Sequence, residues 1–113
     1  MAKSKIDPRT FLPLTPAVLH ILLSLTDGPR HGYAISKESA ERTNGEIKLG
    51  PGTLYGTLGR LAVAGLVTDA DGGSAADERR RFYRITPLGR EVIALEARRL
   101  ASVVSVARAK SVI

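Results

Sequence analysis

The chain has no cysteine and no tryptophan, and its 113 residues include only two phenylalanines, three tyrosines and two histidines. Without cysteine there are no disulfides and no thiolate metal sites, which is compatible with a reducing compartment. Two histidines alone make no recognisable zinc spacing. Long apolar runs are missing too. The longest, around AVLHILLSL and VVSVA, fall well short of the roughly 20 residues a membrane span needs. The opening MAKSKIDPRTF carries lysines but no apolar stretch ahead of a cleavage site, so no secretory signal is read and a cytoplasmic setting is expected. Acidic residues are the minority: 11 Asp and Glu face 17 Lys and Arg, a net charge of +6. On a small domain that surplus points to a polyanionic partner, nucleic acid above all, unless it is simply a basic surface.

Catalytic signatures are also lacking. Gly50-x-Gly52 is not continued into a dinucleotide fingerprint, and no Walker lysine follows it. No nucleophile-elbow sequence frames a serine. No enzyme activity, metal or cofactor is expected.

What the chain does contain is helical periodicity cut by clear turn signals. Its length suits one domain with one modest core. Residues 1–13 are polar, contain Pro8 and Pro13, and read as an N-terminal arm that a partner would order. Thr15 as N-cap and Pro16 at the first helical position predict a helix through Leu25, apolar nearly all round and therefore buried on several sides. His20 within it reads as a hydrogen-bonded core histidine. The turn signal Thr26–Pro29 precedes a second helix from about His31 to Thr43, broken by Asn44–Gly45. Leu54, Leu58, Leu61 and Gly65 follow in steps of four, three and four, one face of a third helix over about Pro51–Ala64. Gly65 is suited to end it.

Leu66–Ala70 and Arg80–Thr86 read as two short strands joined by a long, polar, basic-ended loop. Tyr83 and Ile85 fall on one face of the second strand, Phe82 and Arg84 on the other. Thr86–Pro87 repeats the cap-plus-proline start and predicts a long helix to about Lys110. Leu88, Val92 and Leu95 form one apolar stripe on it. Ile93, Ala97, Leu100, Val104 and Ala107 form a second at coiled-coil spacing, which asks for a partner helix from a second copy. Three helices, a two-stranded hairpin and a long helix make an α+β, mainly α, winged helix-turn-helix. Its bounds are read as 14–86, with 87–113 as a dimerisation helix.

A recognition helix must enter a major groove about 12 Å wide. With its leucines turned inward, the third helix is expected to present Thr53, Gly56, Thr57 and Arg60 on the opposite face, flanked by Tyr55. Small residues there let the helix axis sit deep, and threonine can touch a thymine methyl. The competing reading is close helix packing, with Tyr55 at the core edge; for Gly59, packing is the one account available. Arg79, Arg80, Arg81 and Arg84 crowd the end of the hairpin loop, where guanidinium groups straddle phosphates or enter a minor groove. Alternatively they form a solvated cluster paired with Asp77 and Glu78. His31 and Tyr33 open the second helix, either as phosphate contacts or as a cap and a packed aromatic.

The stretches LLSLTDGPRHGYAI, GPGTLYGTLGRLAVAGLV and RRRFYRITPLGREVI, in this order and spacing, resemble the PadR family of bacterial transcriptional regulators. The resemblance covers about residues 14–100. It implies a homodimeric repressor of a pseudo-palindromic double-stranded DNA operator. It would place DNA contacts on Tyr33, Thr53, Tyr55, Gly56 and the wing arginines. Dimer contacts would fall on the first helix, at Leu19 and Leu22, and on the C-terminal helix. The short tail resembles the family's compact branch. That branch binds planar drugs with aromatic residues, which the C-terminal helix lacks here, so an aliphatic effector, or none, is left open. Gly56–Thr57 also departs from the proline and small residue common in the family. The alternative from another class is a winged-helix module that docks proteins and does not read DNA.

Overall fold

Two Thr-Pro pairs start the first and last helices. Thr15 accepts a hydrogen bond from the Val18 N–H at 3.2 Å and Thr86 from the Gly89 N–H at 3.0 Å, while Pro16 and Pro87 take first-turn positions that need no donor. The computed structural model describes residues 6–70 and 81–113. In chain order these form α1 (Pro16–Leu25), β1 (Arg30–His31), α2 (Gly32–Arg42), α3 (Pro51–Ala64), β2 (Val67–Ala70), β3 (Phe82–Ile85) and α4 (Pro87–Ala109). Among the described residues the strands make one antiparallel sheet in the order β1-β3-β2. The observed architecture is the winged helix-turn-helix with a long C-terminal helix.

β1 has no counterpart in the sequence reading. Two residues carry no periodicity; Arg30 and His31 become a strand because the hairpin strand offers Tyr83 and Phe82 as partners. The helix bounds, by contrast, follow from local chemistry. Gly65 ends α3 with φ +85, a left-handed conformation that glycine adopts without strain, and its N–H closes on the last-turn carbonyls.

The core lies where α1, α2, α3, the first half of α4 and the sheet meet. Ile21, Leu22, Leu25, Ile35, Leu58 and Val92 are fully buried in it. Two dimerisation expectations are corrected by this arrangement. Leu22 and Ile93 are buried within the chain's own core, because α4 turns toward α1 an inner face made from one residue of each stripe, Val92 and Ile93, together with Glu96. Beyond Glu96 the helix leaves the core, and Leu100, Val103, Val104 and Val106 are exposed.

The N-terminal segment was expected to await a partner. From residue 6 onward it instead lies on α4 of the same chain. Asp7 caps a 3-10 turn at Pro8–Phe11 by accepting from the Arg9 N–H. Downstream, the Leu14 N–H donates to the Glu96 carboxylate at 2.7 Å. Glu96 is buried, and the Arg99 guanidinium grips the same carboxylate. The Arg99 hydrogen bond holds its pKa down against the opposing effect of burial, with Leu14 adding to the depression. A depressed folded-state pKa contributes stability above the unfolded value, lost as pH falls from the ordinary glutamate value of 4.5 through the lowered one. Glu96→Gln is therefore expected to lower the melting temperature at pH 7 and to flatten the decline between pH 5 and 3. Parallel melting curves for the two proteins across that range would contradict this.

Candidate nucleic-acid interface

α3 is built on the leucines that the spacing picks out. Leu54, Leu58 and Leu61 are buried. Thr57 corrects the expectation: it is 3% exposed and lies on the inner side, where its Oγ1 accepts from Arg60 at 3.1 Å. It follows Leu54 by three and precedes Leu61 by four, and a helix packed on a core buries a stripe wider than its leucines.

The outward face carries Gly52, Thr53, Gly56, Gly59, Arg60 and Val63, all exposed. A Cβ added at Gly52 or Gly59 would meet nothing within 4 Å, and one at Gly56 only the Arg60 guanidinium at 3.7 Å. Among the described residues no neighbouring helix packs against these glycines, and close packing there does not account for Gly59. Gly52, Gly56, Gly59 and Val63 recur in steps of four, three and four along the solvent side, and Val63 is 91% exposed. The sequence shows this spacing plainly, but the leucine stripe dominates the reading.

Tyr55 stands beside this face and joins it to α2. It covers Gly32, the buried first residue of α2, where an added Cβ would fall 2.5 Å from the tyrosine hydroxyl. Tyr55 is thus a packed edge residue that stays partly exposed. Tyr33, one residue further along α2, is 68% exposed. Its ring stacks on His31 with centroids 6.2 Å apart. His31 is the α2 N-cap, its Nδ1 accepting from the Ala34 N–H at 3.2 Å, and its ring meets Phe82 of β3 edge to face at 5.4 Å. The start of α2, the edge of α3 and the wing strand therefore converge on one side of the molecule.

On β3, Tyr83 is buried and Arg84 exposed, the alternation expected of a half-covered strand. Burial raises the Tyr83 pKa, while the adjacent Arg81 opposes that rise. Arg81 is exposed at the start of the wing strand; Arg79 and Arg80 lie outside the described residues. His20 faces the α1–α2 junction, where Arg42 lies 3.2 Å from its Nδ1 and also donates to Ser24. Burial chiefly, and then the Arg42 charge, lower its pKa. Leu19 is half-buried on α1, and Ala107 half-buried on α4. Among the described residues no group of His, Asp and Glu gathers to hold a metal, and no helix is long and apolar enough to cross a membrane.

A helix with a buried leucine stripe and an uncrowded outer face, next to an antiparallel wing, defines a winged helix-turn-helix domain. The chain belongs to the transcriptional regulator PadR-like family, whose model matches residues 19–95. It is 41% identical over 85 residues, 75% of this chain, to an uncharacterized 37.1 kDa protein in a transposon of Streptomyces fradiae, and spans 23% of that protein's length. It is 37% identical over 83 residues to a transcriptional regulator of Mycobacterium tuberculosis, covering 73% of each chain. The fold is shared with Bacillus subtilis PadR, solved in complex with operator DNA, at a TM-score of 0.62 and 21% identity over 73% of this chain and 45% of that one. The family is one of transcriptional regulators and not of enzymes.

Proposed function

We propose that this protein is a cytoplasmic, homodimeric repressor that reads a pseudo-palindromic operator with α3 in successive major grooves. The observation that carries the reading is the outer face of α3: among the described residues, glycines there have open space where side chains would fit, and no intramolecular packing contact explains them. An alanine in place of Gly56 or Gly59, in the helix interior, would favour the helix by about 0.5–1 kcal/mol. A helix that forgoes this repeatedly on one side is suited to close approach by a bulky partner, and the +6 charge favours a polyanion. Thr53 and Arg60 are the side chains on that face able to bond base edges or phosphates. Arg81, with Arg79 and Arg80 beside it in sequence, would lie on the backbone or minor groove. Thr57, turned inward, would act through Arg60. Dimerisation through α4 would set two copies of α3 one helical turn of DNA apart, about 34–36 Å.

The test is fluorescence anisotropy on genomic fragments recovered by selection, with scrambled fragments as controls. Wild type is expected to prefer the selected fragments, with a log–log salt slope of about −0.9 per phosphate neutralised. Gly59→Ala should raise the melting temperature while weakening operator binding about tenfold, since the methyl group adds helix stability and holds the helix off the groove. Unchanged affinity would place the glycine face away from DNA. Absence of any binding at low salt would favour the protein-docking alternative.

A further inference from the structure

We propose that His31 is a positioning residue for DNA binding: its ring holds Tyr33 in place and ties it to the wing strand. The inference rests on the DNA-binding reading above and adds to it a residue with no contact to DNA of its own.

Tyr33 is the more exposed of the two tyrosines beside α3, with 68% of its surface open. A side chain so exposed ordinarily samples several rotamers, and ordering it on binding costs affinity. Here its ring lies 9° from parallel to the His31 ring at 6.2 Å, within the range of offset-stacked pairs. His31 is itself held by three contacts, two through its ring and one through its backbone. Its Nδ1 accepts the Ala34 N–H, its face or edge meets Phe82 at an interplanar angle of 81°, and its backbone pairs with Phe82 in the sheet. A continuous series of rings, Phe82 to His31 to Tyr33, therefore runs from the wing to the exposed tyrosine.

The imidazole performs two separable tasks. Capping needs an acceptor at Nδ1, which asparagine also supplies at an N-cap. Stacking needs a flat ring, which phenylalanine also supplies. If His31 mattered only for the fold, the cap would be what counts. If it positions Tyr33, the ring counts.

His31→Asn keeps the cap and removes the ring. It is expected to melt within about 2 °C of wild type yet bind selected operator fragments about two- to tenfold more weakly, the range of an aromatic pair. His31→Phe keeps the ring and loses the cap. It should melt about 4–8 °C lower and bind like wild type at a temperature where both are folded. Tyr33→Ala should weaken binding by a similar factor, and adding His31→Asn to it should bring no further loss. The reverse ranking of the two His31 variants overturns the assignment, as do losses that add in the double variant. Wild type that binds while His31→Asn binds equally well overturns this inference alone. Wild type that binds no fragment overturns the DNA reading and this inference with it.

Discussion

Alanine at Gly89 is expected to destabilise the fold by about 3 kcal/mol or more, the scale of overpacking into a rigid site. Gly89 lies buried in the first turn of α4. An added Cβ would overlap the Leu66 carbonyl oxygen and lie 2.7 Å from Ile85 Cγ1. The obstacle is backbone, so no rotamer change relieves it. That backbone is also fixed: the Leu66 carbonyl accepts the Thr86 N–H at 3.0 Å, and the Gly65 carbonyl accepts the Thr86 hydroxyl at 2.6 Å. Relief would require α4 to lift off the end of α3 and the start of β2, breaking both bonds. A melting temperature lower by about 12 °C or more is expected for a domain of this size. Melting within about 2 °C of wild type would sink the argument. Gly59→Ala is the built-in control, since the same substitution in open space should move stability the other way.

Gly89 and Gly59 look alike in the sequence, each a glycine within a helical pattern, and their opposite roles mark what sequence can carry. Local chemistry was legible: the Thr-Pro starts of α1 and α4, the glycine end of α3, and the two longer strands follow from capping and turn rules that act over a few residues. Long-range placement was not. Thr57 is polar and lies between leucines, and its inward position depends on how wide a stripe the core covers. β1 exists because β3 is beside it. Nothing local in the sequence marks Glu96 for burial, and only the fold brings the Leu14 N–H to it from 82 residues away. Within the candidate interface, Thr53, Tyr55, Gly56 and Arg60 were legible as an outer face of α3. The link from His31 to Phe82 was not, because it forms across the sheet.

Those long-range facts share a direction. The buried contacts of α4 end at Glu96, which with Arg99 clasps the N-terminal segment against the helix. The large apolar side chains of α4 beyond that point face outward: Leu100, Val103, Val104 and Val106. An aliphatic surface on a helix that has left its own core is more costly to leave in water than the scattered exposed residues common on monomers. The two halves of α4 therefore differ: the first closes the domain, and the second carries the aliphatic surface that the proposed dimer would bury.

Glutamate at Leu100 or Val104 should divide the proposed dimer and remove most of the proposed operator affinity with it. Both residues are exposed in the single chain, at 36% and 40%, and with Ala107 they follow in steps of four and three, the seam spacing of paired helices. In a dimer each substitution places a carboxylate in an apolar seam, and burying unpaired charge costs several kcal/mol. The separated chains should remain folded, because these positions make no contribution to the core. Ile93→Glu supplies the contrast: at 5% exposure inside the core, it should unfold the chain. Loss of the second half-site removes an effective-concentration advantage of about 10²- to 10⁴-fold, so operator binding should weaken by at least about a hundredfold while non-specific binding changes little. Sedimentation velocity at micromolar concentration and anisotropy titrations read the two effects separately. A Leu100→Glu protein that sediments as a dimer, or a monomeric wild type that still binds its operator tightly, would refute the seam.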